Sequence, residues 1–245
     1  MTDLDYPSII SQEGSAERNI APLINALTPL LSDARGNANG SADRRHILEI
    51  GSYPYVQIKA FSEHFNEWEW WGTVRDKDER AETAKRISDK AVQRDNLHEP
   101  KILDMGIEAD WTRLLEDIKA ERCQRFMGVL MINVIHCCPA HLPEEVFKHL
   151  SPLTEDGRRI LDPTDGFVVG YSPFLNDDGS YRSAGDEKFD KEYIKAEHPS
   201  LGLRTIRSIS DVARRWGFKE EKRVDMPKGN VLVVWRVDGG HQVDT

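Results

Sequence analysis

Residues 127 to 132 read Met-Gly-Val-Leu-Met-Ile, a run without a single charged, hydroxyl or amide side chain. A short run this apolar belongs to a strand buried on both faces, as in a parallel sheet covered by helices on either side. The rest of the chain must supply those helices and the flanking strands, and it alternates accordingly. Strands are expected at 46–51, 68–74, 101–103, 127–132 and 166–171, with helices at 55–65, 78–93, 109–120 and 143–150. Upstream, Ile20, Leu23, Ile24, Leu27, Leu30 and Leu31 recur at helical spacing, and Pro22 is expected near the first turn of that helix. Residues 1–14 read as an N-terminal arm and 33–45, rich in Gly, Asn, Ala and Asp, as a flexible loop.

Beyond Pro173 the pattern changes. A polar stretch at 176–180 precedes a helix expected at 187–196, and a second helix follows at 208–216. Strands at 218–224 and 231–237 are joined by a turn at Pro227-Lys228-Gly229. The fold class is therefore α/β, a mostly parallel sheet with helices on both faces and a C-terminal antiparallel hairpin. Residues 1–245 read as one domain, in which 172–205 form a capping insertion.

Composition narrows the function. A net charge of −9 argues against a nucleic-acid surface, which needs concentrated Lys and Arg. Three cysteines, Cys123, Cys137 and Cys138, make no disulfide framework and suit a reducing, cytoplasmic setting. No apolar run reaches bilayer length, and the acidic start Met1-Thr2-Asp3-Leu4-Asp5 is unlike a signal peptide. The expected partner is a small-molecule substrate rather than nucleic acid or membrane, with a homodimer left open.

The first strand runs into Gly51-Ser52-Tyr53-Pro54-Tyr55. In doubly wound enzymes this turn reaches the ligand with bare backbone and needs glycine. Here only Gly51 and the small Ser52 remain, so a phenol, Tyr53 or Tyr55, is expected where a cofactor would lie. The strongest polar cluster, Asn133-Val134-Ile135-His136-Cys137-Cys138, follows the central strand at its carboxyl end, where open α/β sheets place ligands. His136 could serve as a general base, or hold a carbonyl or enol by a hydrogen bond; its structural alternative is a helix cap. Asn133 could orient a carbonyl or satisfy loop backbone. Tyr171 ends the fifth strand and could donate to a substrate oxygen or sit in the core. The His-Cys-Cys run lacks the spaced pairs of ligands of a zinc site. Of Trp68, Trp70 and Trp71, two are expected in the core and one against an apolar pocket. Asp186, Asp190 and Arg204 fall in the capping insertion, with a solvated charge or an intramolecular ion pair as the default for each.

These stretches resemble a small methyltransferase-like family of unknown function whose animal member is methyltransferase-like protein 26. The similarity lies in Ser15 through Pro22, Leu48-Glu49-Ile50, Leu103-Asp104, Ile132-Asn133-Val134-Ile135-His136, Tyr171-Ser172-Pro173-Phe174, Phe189-Asp190, Gly202-Leu203-Arg204 and Met226-Pro227. The resemblance leaves out the arm, the loop at 33–45 and an extra turn around 154–164. It implies a class I methyltransferase fold, Rossmann-like, with a seven-stranded sheet. It also implies that Glu49 and Asp104 face the cofactor region and that Arg18 and Asn19 close over the pocket. Two departures stand out. The family's glycine-rich turn is Ser52-Tyr53-Pro54-Tyr55 here. The position of the acidic residue expected to hold the ribose hydroxyls of S-adenosylmethionine falls, read without a gap from Trp70, on Val74, followed by Arg75 and Asp76; a slip of one or two residues would place Asp76 there.

The reading that follows is an enzyme of methyltransferase fold that has lost methyl transfer, needs no cofactor, and guides a cyclisation, pericyclic step, isomerisation or elimination of an apolar natural-product type molecule. Its competitors are an S-adenosylmethionine-dependent O- or N-methyltransferase and a non-catalytic binding protein.

Overall fold

The computed structural model describes residues 6–9, 14–36, 45–87, 94–121 and 123–239. The strands lie in the order β3-β2-β1-β4-β5-β7-β6 in a mixed seven-stranded sheet. Two compact units divide the chain, residues 10–130 and residues 131–245 with 1–9.

The first unit opens with α1, Ser15–Gly36. Its stripe of Leu23, Leu27 and Leu31 is at most 2% exposed, and α1 packs on α2, Val56–His64. That burial carries the helix straight through Pro22 and Pro29, both of which lie inside it. Each proline removes an intrahelical hydrogen bond at a cost of about 3 kcal/mol, offset by packing of the apolar stripe. The first-turn placement of Pro22 is thereby corrected, and residues 33–36 of the expected loop are helical; 37–44 lie outside the described residues.

Strand β1, Arg45–Ile50, pairs in parallel with β2, Trp68–Val74, from Arg45 opposite Trp68 to Glu49 opposite Gly72. The short β3, Lys101–Ile102, pairs in parallel with the end of β2. Helices α3, Lys77–Ile87, and α4, Glu108–Ala120, follow β2 and β3. The expected end of α3 at residue 93 lies outside the described residues. β4 covers Phe126–Ile132 and, apart from Met127, is buried along its length. All three tryptophans of β2 are core: Trp70 stacks on Phe65 and Trp71 stacks on His98 at 3.7 Å. None is left over to wall a pocket.

The second unit contains α5, Leu142–Leu150, and β5, Phe167–Pro173, with a single 3-10 turn at Asp156–Arg158 between them. Helix α6, Ala184–Phe189, starts earlier than its apolar pattern suggests, because Ser183 caps it by accepting the Asp186 N–H at 3.1 Å. It runs into a π turn, Asp190–Ile194, and is followed by α7, Ile206–Arg215. β6, Phe218–Asp225, and β7, Asn230–Val237, form the expected antiparallel hairpin, and β7 also pairs antiparallel with β5. Phe147, Phe218 and Trp235 meet edge to face in its core, with centroids 5.4 to 5.5 Å apart.

One contact decides the shape of the turn after β1. Tyr55 caps α2 in the left-handed region at φ +72°, which a bulky residue adopts only when its side chain is firmly held. Its ring lies flat on Gly72 of β2, where any Cβ would overlap the phenol. Gly72→Ala is therefore expected to lower stability by on the order of 1–3 kcal/mol in urea denaturation. Combined with Tyr55→Ala the losses should be less than additive, and full additivity would show that the two sites do not touch.

Candidate functional site

In the first unit the polar residues gather at the carboxyl ends of β1, β2 and β3. Gly51, at φ +69°, turns the chain out of β1. Its N–H donates to Thr73 Oγ1 at 3.1 Å, and the Ser52 N–H donates to the Thr73 carbonyl at 2.7 Å. Ser52 Oγ donates back to the Glu49 carbonyl at 2.9 Å. Thr73, which sequence reasoning passed over, thus ties the turn to β2 and takes up the N–H groups of Gly51 and Ser52. The two phenols part company. Tyr53 is turned onto α3, where its hydroxyl donates to Glu82 Oε2 at 2.7 Å. Tyr55 is turned inward, 2% exposed, with its hydroxyl reaching the His98 carbonyl at 3.4 Å. Each ring thus has its own hydrogen-bond partner, Glu82 for Tyr53 and the His98 carbonyl for Tyr55.

At the end of β2, Val74 is wholly buried. Arg75 Nε donates to Asp104 Oδ2 at 3.1 Å, and the other oxygen of Asp104 accepts the Gly106 N–H at 3.0 Å. Asp76 is the cap of α3: one oxygen accepts the N–H groups of Asp78 and Glu79, both at 2.9 Å, while Glu79 Oε2 accepts the Arg75 N–H at 2.8 Å. Arg18 and Asn19 lie in the first turns of α1, the former exposed and the latter half-buried.

Glu49 is the exception to this mutual satisfaction. It is 2% exposed, and among the described residues its Oε2 has no hydrogen-bond partner. Burial pushes its carboxyl up to about 7, against a hydrogen bond from Ser52 that pulls the other way.

In the second unit the loop after β4 carries Asn133 and His136. Asn133 takes the left-handed conformation at φ +58°, which asparagine tolerates better than most residues, and its N–H donates to the Tyr171 carbonyl at 2.8 Å. His136 is 3% exposed; its Nδ1 lies 2.8 Å from Ser172 Oγ, and the edge of Phe189 packs on its ring with centroids 5.6 Å apart. Burial, and secondarily the charge of Arg204, pushes the imidazole down to about 4, with Asp190 opposing. Tyr171 is not brought to His136. Successive residues of a strand face opposite ways, so Ser172 meets the imidazole while Tyr171 enters the core, its hydroxyl accepting from Asn230 Nδ2 at 2.9 Å.

The loop is held from the capping insertion. The Gly202 N–H donates to the His136 carbonyl at 3.0 Å. Arg204 spends its guanidinium on carbonyls, reaching Cys138 at 3.1 Å and Ser200 at 3.0 Å through Nη2 and Gly202 through Nη1. Asp190, wholly buried, accepts from the Leu203 N–H at 2.7 Å, Tyr181 Oη at 2.8 Å and Lys195 Nζ at 2.6 Å. Against burial, which raises its pKa, those donors hold the carboxylate below its ordinary range. Asp190 does make an intramolecular ion pair, with Lys195, on a carboxylate that is wholly buried, whereas Arg204 departs from that expectation and gives its guanidinium to backbone carbonyls. Burial raises the thiols of Cys137 and Cys138 to about 12, so neither is a nucleophile at neutral pH. Among the described residues no three His, Cys, Asp or Glu side chains come together as a metal-binding group, and no helix is long and apolar enough to cross a membrane.

Residues 11–237 match the model of a family described as a protein of unknown function, DUF938. The chain belongs to this family. The DUF938 chain also superposes on solved structures. An O-methyltransferase family protein from Burkholderia thailandensis matches with a TM-score of 0.61 at 12% identity, covering 92% of this chain and 60% of that one. An O-methyltransferase family 2 protein from Planctomyces limnophilus, in complex with apigenin, gives 0.60 at 13%, covering 93% and 62%. A pericyclic reaction enzyme gives 0.62 at 11%, covering 85% and 47%. The chain therefore spans less than two thirds of the length of each, and at these identities the likeness establishes the fold alone: α/β, of the class I methyltransferase type.

S-adenosylmethionine needs a carboxylate for its ribose hydroxyls and backbone donors in the turn after β1. Glu49 offers an unpartnered carboxylate oxygen that a cationic group would satisfy. The remainder does not fit. Read without a gap, the ribose position falls on the buried Val74, the cation beside it is held by Asp104, and the N–H groups of Gly51 and Ser52 are used by Thr73.

Glu49 also leaves a signature in stability. Its folded pKa lies above the unfolded value of 4.5, so the folded chain binds more protons and loses stability as pH rises from 4.5 to about 7. Glu49→Gln should match the wild type near pH 4.5 and exceed it above pH 7, by up to ~3 kcal/mol. Melting temperatures at both pH values test this, and a gap that does not change with pH would show that Glu49 ionises normally.

Proposed function

We propose that this chain is an enzyme of methyltransferase fold that does not transfer methyl groups. It holds an apolar small molecule in a reactive conformation while His136 hydrogen-bonds a carbonyl on which charge develops, in a cyclisation, pericyclic rearrangement, isomerisation or elimination. The observation that carries this reading is the imidazole buried beyond the carboxyl end of β4 between Ser172 and Phe189, where burial pushes it down to about 4. At pH 7 it is neutral, and burial makes it a weaker base than an ordinary imidazole toward a phenol-like hydroxyl. As a neutral hydrogen-bonding group in a dry setting it is well suited to polarising a carbonyl, and it needs no strong nucleophile beside it. Asn133, at the same strand end, is the second polar group available to orient the substrate. The fold shared with a pericyclic reaction enzyme supports the reading. Within the family, the motif residues from Ser15 to Pro227 support kinship with the methyltransferase-like protein 26 type.

A second reading, S-adenosylmethionine-dependent O- or N-methylation of a small molecule, is favoured by the unpartnered oxygen of Glu49. Calorimetric titration with S-adenosylmethionine separates the two. The proposed reading expects no saturable heat at micromolar concentrations and an unchanged melting temperature. Ligand at a hundredfold excess over Kd would stabilise a binding protein by about 2.7 kcal/mol, and such a shift would overturn the proposal. With the substrate in hand, His136→Gln should lower kcat/KM at least tenfold, about 1.4 kcal/mol of barrier. Undiminished turnover would remove His136 from the mechanism.

A further inference from the structure

The contact between His136 and Ser172 decides which nitrogen of the imidazole carries the proton. Ser172 is wholly buried on β5, and its Oγ lies 2.8 Å from His136 Nδ1. Among the described residues the hydroxyl has no other hydrogen-bond partner. A serine hydroxyl has one proton and two lone pairs. If Nδ1 donated, the hydroxyl proton would be left buried without an acceptor, which costs about 1–3 kcal/mol. If Ser172 donates, its proton is satisfied and Nδ1 is the acceptor. A neutral imidazole whose Nδ1 accepts must carry its proton on Nε2.

We infer that Ser172 is a positioning residue that fixes His136 as the Nε2–H tautomer, so that the ring's other nitrogen is a hydrogen-bond donor and the ligand it takes must offer an acceptor oxygen, a carbonyl or an enolate. The inference rests on the proposed reading of His136 and narrows it, because an Nε2–H donor has no lone pair with which to deprotonate a substrate hydroxyl. The backbone beneath the ring cooperates. Gly202 holds the His136 carbonyl and Arg204 holds that of Cys138, so the loop is pinned while Ser172 sets the ring. Phe189, edge-on to the imidazole, presses an apolar surface against it. Asp190, the next residue, anchors that aromatic wall through Tyr181, Lys195 and the Leu203 N–H.

The test is the two-bond proton–nitrogen correlation spectrum of uniformly 15N-labelled full-length protein at pH 7.5, with the His136 pattern identified by its loss in His136→Gln. The expected wild-type pattern has a protonated-type shift at Nε2 and an unprotonated-type shift at Nδ1. Ser172→Ala should give a mixture of tautomers or the opposite one, and Ser172→Thr, which keeps the hydroxyl, should restore the wild-type pattern. A proton on Nδ1 in the wild type would overturn the inference, as would an unchanged tautomer in a folded Ser172→Ala. Should Ser172→Ala not fold, the wild-type spectrum alone still decides the tautomer. Failure here is separable from failure of the proposed function: S-adenosylmethionine binding would remove that function and leave the tautomer standing, whereas a proton on Nδ1 removes the donor role whatever the titration shows.

Discussion

A strand buried on both faces admits polar chemistry only at its ends. Phe126, Val129, Leu130 and Met131 of β4 are fully inaccessible, and the first hydrogen-bonding side chain after them is Asn133, followed by His136. The same constraint acts on β1 and β2, where Glu49, Thr73 and Arg75 cluster at the carboxyl ends. Because a buried polar group must be paired or bear a large cost, Thr73, Arg75 and His136 are drawn into local networks that tie down the loops that follow. Glu49 departs from that rule, and its raised carboxyl pKa is the physical trace of it.

The capping insertion shows how such networks replace bulk packing. Asp190 gathers three donors and Arg204 gathers carbonyls from residues 138, 200 and 202, so neither charge is spent on the other. The two side chains anchor the segment on either side of Gly202, whose φ of +142° no side chain would readily accept and whose missing Cβ leaves room for Asp190 and Lys195. The His136 loop inherits its rigidity from this frame. The imidazole within it is held neutral by burial beside a cation, a setting that favours hydrogen bonding over proton abstraction.

Much of the fold was legible in the chain. The period-two and helical patterns placed β2 at 68–74 with its observed bounds and the other strands within two residues of theirs, because burial of a contiguous face is written in neighbouring residues. The boundaries of α1 and α6 were not, for different reasons. In α1 tertiary packing overrode two prolines; in α6 the signal was present in Ser183 and Asp186 but lay outside the apolar pattern. Of the site residues, position along the strands was readable and direction was not. Tyr53 and Tyr55 both looked like obstacles in a ligand turn, yet one bonds Glu82 and the other lies on Gly72. Ser172 could have been found by alternation, since a Tyr171 directed into the core sends its neighbour to the other face.

The sequence by itself determined an α/β sheet with a terminal hairpin, a degenerate glycine turn after β1 and a polar cluster after β4, since each depends on residues within a few positions of one another. Only the tertiary structure decided what those residues are chemically. The partner of His136 lies 36 positions away in Ser172 and that of Arg75 lies 29 positions away in Asp104. The protonation of Glu49 and His136 follows from burial by elements remote in the chain. Charge state, tautomer and side-chain direction are set by desolvation and hydrogen-bond partners, and those are properties of a folded neighbourhood rather than of a local stretch of sequence.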